Sequence, residues 1–162
     1  MISPAYVTLM ARYNRWQNRL ILDAAELLPL SRREGVIADQ MGAALWADLS
    51  WLSRLDGCER SEFAESHASA HFADWEAGRR LRLETDARMV DWAARLTDVE
   101  LSGWLFWHVP SLGKAMSREM ALCVVDLLTA QLRHRSRLAL ILEQSGIEVE
   151  ALSPSQMPAD AD

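Results

Sequence analysis

"TAQLRHRSRLALILEQSGI", residues 129–147, sets His134 and three arginines, Arg133, Arg135 and Arg137, into a run that is otherwise largely apolar and closes on Gly146 and Ile147. Together with the preceding "MALCVVDLL" it reads as one long helix from about Ser117 to Ser145, with Gly146 as its C-terminal cap. A helix that apolar must pack against others, and three further segments carry helical periodicity. The first opens on Ser3 as N-cap with Pro4 at the first helical position, and its stripe is Leu9, Tyr13, Trp16, Leu20, Ala24 and Leu27. Pro29 closes it, and Ser31 with Glu34 resembles a capping box for a short extra turn. The second covers about 38–56 and stops at Gly57; the third covers about 70–96, with Phe72, Trp75, Met89, Trp92 and Leu96 inward. Residues 97–113, "TDVELSGWLFWHVPSLG", read as irregular because Gly103, Pro110 and Gly113 interrupt them. No segment shows a convincing strand alternation. The expected fold is therefore all-α: a four-helix bundle with one longer irregular connection before the last helix. It forms one domain over 1–147, followed by an acidic, partly mobile tail over 148–162.

Composition narrows the classes. The chain has 162 residues, half of them apolar and a quarter charged, which is globular composition. A net charge of −6 gives no bulk positive field for nucleic acid or an anionic membrane, and no apolar run approaches the ~18 residues of a spanning helix. Sixteen of the seventeen cations are arginine, Lys114 being the exception. Cys58 and Cys123 lie far apart with no CxxC pairing, against a disulfide framework or thiolate zinc site. The opening "MISPAYVTLMARYNRW" has no basic-then-apolar signal pattern, so a cytoplasmic setting is expected.

Three stretches resemble the DinB/YfiT-like superfamily of helical bundles, many of them metalloenzymes. "YNRWQNRLILDAAELLP" (13–29) is similar to the first-helix signature, "GAALWADLSWLSRLDG" (42–57) to the second helix, and "TAQLRHRSRLALILEQSGI" to the fourth. The resemblance covers about 145 residues. It implies a divalent-metal site built from one histidine of the second helix and two, four residues apart, of the fourth. Such a pair stacks on one helix face and leaves coordination positions open for water or substrate. Carried over residue by residue, those positions fall on Ala43, Ala130 and His134, so His134 alone keeps a family ligand. Arg135 matches the family arginine, while Leu132, Arg133, Ser136 and Arg137 depart from the pattern. No cofactor is expected; zinc or nickel enters only if other residues rebuild the site.

On a helical wheel Asp126, Ala130, Arg133, His134 and Arg137 share one third of a turn. With Gln40 and Ala43 from the second helix they form a candidate ligand pocket, in which guanidinium charge replaces metal charge and holds an anion or carboxylate. The competing reading is internal pairing of Asp126 with Arg133 or Arg137. For His134 a neutral, hydrogen-bonded core role is favoured over ligand or base. His67 and His71 have metal spacing but sit at the third helix entrance, where a solvated role is favoured. His108, in the 97–116 connection, could approach His134. No catalytic residue is assigned. The leading expectation is a small-molecule-binding protein, homodimeric, with the apolar "WLFW" (104–107) at an interface. The alternatives are a metal-dependent enzyme (thiol transferase, isomerase or hydrolase) with a rebuilt site, and an interaction protein with a vestigial pocket.

Overall fold

A computed structural model describes residues 2–57, 71–109, 113–149, 153–159 and 161. Helix α1 (Pro4–Glu26) starts as its sequence dictates. The Ser3 hydroxyl accepts from the Tyr6 N–H at 3.2 Å, and Pro4 occupies the first turn. Helix α2 (Leu30–Arg33) is the expected extra turn, although no side chain caps it. Helix α3 (Val36–Leu55) and helix α4 (Trp75–Arg95) are the second and third predicted helices. Asp74, accepting from the Ala77 N–H at 2.9 Å, starts α4 five residues later than the sequence reading placed it. After a one-turn helix α5 (Asp98–Leu101), opened by a Thr97–Glu100 capping box, come strands β1 (Trp104–Val109) and β2 (Lys114–Glu119), then α6 (Met120–Gln144).

The hairpin corrects the sequence reading. β1 and β2 pair antiparallel with Trp104 opposite Glu119, Trp107 opposite Met116 and Val109 opposite Lys114. Ser117 to Glu119 therefore belong to β2 and not to the last helix. Aromatic residues on both faces of β1 hid its alternation: Leu105 is buried and Trp107 half-buried, while Trp104 and Phe106 point outward. A single hairpin does not change the class. The molecule is largely all-α, and no described helix is long and apolar enough to cross a membrane.

α1 packs on α4, and α3 packs on α6, giving two helix pairs that share the interior. The core falls into two apolar clusters. One joins Ile21, Leu22, Met41, Leu45, Trp75 and Leu142; the other joins Val7, Leu52, Trp92, Leu105, Val124 and Leu127. The inward face of α1 also differs from the expected stripe. Leu9 and Leu27 are exposed, whereas Asn14, Gln17 and Asn18 are buried beside Val7, Ala11, Ile21 and Leu22. The apolar stripe misled because the bundle interior is polar between its two clusters.

Candidate functional site

Between those clusters all four long helices contribute side chains to one buried polar network. Three of them do so with pairs spaced i, i+4, which puts both members on one face: Asn14 and Asn18 on α1, Arg82 and Asp86 on α4, Gln131 and Arg135 on α6. Asp48 completes it from α3. Arg82 is its hub, with Nη1 2.7 Å from Asp48 Oδ2 and Nη2 2.6 Å from Asp86 Oδ1. Asp86 Oδ1 also accepts from Asn18 Nδ2 at 2.9 Å and from Asn14 Nδ2 at 3.4 Å. Gln131 Nε2 donates to Asp48 Oδ1 at 3.1 Å, and Arg135 Nη1 donates to Asn14 Oδ1. The ring thus returns to α6. Two aspartates balance two arginines, so the desolvated cluster carries no net charge.

Its electrostatics are uneven. Asp86 Oδ2 is buried without a hydrogen-bond partner, and burial pushes the Asp86 carboxyl up to about 6. Arg82 opposes that rise and the Asp48 charge adds to it. Arg82, fixed between two carboxylates, is held protonated. Burial pulls Arg135 down, with Asp48 opposing, and its guanidinium lies 5.3 Å from the Tyr13 ring centroid.

The residues expected to form a ligand pocket divide. Gln40, Ala43, Ala130 and His134 are half-buried along the packed α3 and α6. Asp126, Arg133 and Arg137 are exposed. The inward wedge of Arg133 and Arg137 is therefore corrected, and so is the internal pairing: among the described residues neither arginine forms an ion pair with Asp126. The physical reason is helix phase. Gln131, Arg135, Leu138 and Leu142 take the inward face of α6, which turns 133 and 137 to solvent. The buried arginine of α6 is Arg135, and Arg82 and Asp86 of α4 were missed altogether. Their signal was polar pairs at i, i+4 in phase with buried apolar positions.

His134 keeps its Nδ1 buried without a hydrogen-bond partner. Burial lowers its pKa, Asp48 opposes, and Arg137, Arg133 and Arg135 reinforce the fall, so the imidazole is neutral. Among the described residues, four other buried atoms lack partners on the same two helices: Gln131 Oε1 and Arg135 Nε on α6, and Gln40 Oε1 and Trp46 Nε1 on α3. Among the described residues no three His, Cys, Asp or Glu side chains are grouped to hold a metal ion. His108 is exposed on β1, His71 is half-buried just before α4, and His67 and Cys58 lie outside the described residues. Cys123 is buried and free.

Fold and interior together define a helical bundle with a charged, self-neutralised centre and a half-buried histidine on its last helix. The chain belongs to the DinB family, whose model matches residues 1–159. No curated protein and no solved structure matches it.

Proposed function

We propose that this DinB-family chain has lost the family's divalent-metal site and binds a small polar molecule, an anion among the candidates, between α3 and α6, as a cytoplasmic homodimer. One observation carries the reading. Where the resemblance calls for three histidines there are two methyl groups and one imidazole, and that imidazole has a buried, unpartnered Nδ1. Buried polar atoms are nearly always partnered, and a bound molecule between α3 and α6 would supply the partner. The residues present do not fit a divalent ion: one neutral imidazole does not hold zinc or nickel against water, and Ala43 and Ala130 offer no donor. No reaction step is derived through a metal.

The test is elemental analysis of untagged protein purified without added metal. The expected result is far less than one zinc or nickel per chain. Ala43→His with Ala130→His should create stoichiometric binding, most cleanly with Arg133→Gln added, because nearby positive charge opposes a cation. About one metal per unmodified chain, released by His134→Ala, would reverse the reading in favour of a metal-dependent enzyme. For the ligand, small carboxylates and phosphate should raise the melting temperature of the natural chain and not that of His134→Ala.

A further inference from the structure

A second site lies away from His134, where the hairpin covers the end of the α3–α6 pair. Its cavity of about 440 Å³ is lined by Trp51 and Arg54 of α3, Trp107, Met116 and Arg118 of the hairpin, and Leu122, Cys123 and Asp126 of α6. That volume is within the range of small-molecule sites. The strand register puts Leu105 opposite Arg118 and Trp107 opposite Met116, so one face of the hairpin delivers an aromatic wall and a cation together. The Trp51 and Trp107 rings stand 6.4 Å apart at 59°, and the Arg54 guanidinium lies 5.2 Å and 5.6 Å from their centroids.

Depth sorts the chemistry. Arg118 and Asp126 are exposed, Trp51, Arg54 and Trp107 are half-buried, and Cys123 is buried. Arg118 Nη1 donates to its neighbour Ser117 O at 2.9 Å, its one hydrogen bond among the described residues, which leaves further N–H donors for a carboxylate. Arg118 at the exposed mouth is placed to take one carboxylate, with the Trp51 and Trp107 rings beside it for an apolar body. Burial pushes the Cys123 thiol up, with Asp126 adding, so it is a neutral apolar floor and not a nucleophile.

We propose that this cavity binds a monoanion with a flat apolar body, its ring against Trp51 and Trp107 and its carboxylate on Arg118. The site goes beyond the reading at His134 and does not depend on it.

The test uses 2-naphthoate, its uncharged amide 2-naphthamide, and acetate, read by tryptophan fluorescence and by thermal shift on the full chain. Naphthoate should bind, with the amide and acetate at least about tenfold weaker. Arg118→Gln should bring naphthoate down to the level of the amide, and Trp107→Leu should weaken both aromatic probes. Arg118→Lys should recover part of the loss. Arg80→Gln, an exposed charge on α4, should change nothing. Equal binding of naphthoate and its amide, no binding at all, or binding indifferent to both Arg118→Gln and Trp107→Leu would overturn the proposal. If naphthoate binding is lost in His134→Ala and untouched by Arg118→Gln, this inference fails while the His134 reading stands.

Discussion

Arg82, 2% exposed, ties α4 to α3 through the Asp48 carboxylate while also holding Asp86 of its own helix. Arg82→Met would leave Asp48 and Asp86 buried without their cation. The expected cost is about 3–5 kcal/mol in urea unfolding, with a matching fall in melting temperature. Asp86 makes stability depend on pH in the direction opposite to a surface ion pair. Its folded pKa of about 6 is above the ordinary 3.8, so between those values the folded chain holds a proton that the unfolded chain has released. The contribution is fully present below about pH 3.8 and is lost as pH rises through about 6. Asp86→Asn should remove that component from a stability-versus-pH profile over pH 4–7, and an unchanged profile would show that Asp86 titrates elsewhere. These residues were partly legible in the sequence. Asp48 and Arg135 fell within the stretches that carried the family resemblance, but their burial was not readable, because a helical wheel fixes relative phase and not which face turns inward.

At the scale of elements, the approach of α4 to the segment before it turns on Gly78. A Cβ there would stand 2.6 Å from the His71 carbonyl oxygen and 2.7 Å from the Phe72 ring, which itself packs edge-on against Trp75 at 5.3 Å. Glycine to alanine inside a helix ordinarily stabilises by up to about 1 kcal/mol. Here the contact should reverse the sign, so Gly78→Ala is expected to lose about 1–3 kcal/mol by chemical denaturation. The long helices were legible because periodicity, the Ser3 cap and the closing glycines agreed: Gly57 and Gly146 both take positive φ, 70° and 86°, just beyond α3 and α6. The hairpin was not legible. Its six-residue strands are short, aromatic residues occupy both faces of β1, and pairing with β2 is a contact between segments that no local pattern records.

For the molecule as a whole, the hairpin's outer face bears Trp104 at 57% and Phe106 at 74% exposure, which supports the proposed homodimer. Light scattering should give about twice the 18.3 kDa chain mass at micromolar concentration, and Phe106→Glu should return the monomer. A monomer throughout would remove the homodimer from the proposal and leave the two proposed binding sites untouched. By itself the sequence determined the helical class, the order of the long helices, the family and the alanines at two of the three positions where the resemblance puts a metal ligand, because those are matters of local periodicity and residue identity. Only the tertiary structure decided that Arg135 and Arg82 face inward while Arg133 and Arg137 face solvent, and that Trp51, Trp107 and Arg118 meet around one cavity. The reason is physical: a buried charge is tolerated only where partners from other helices converge on it, and that convergence is a property of the packed bundle.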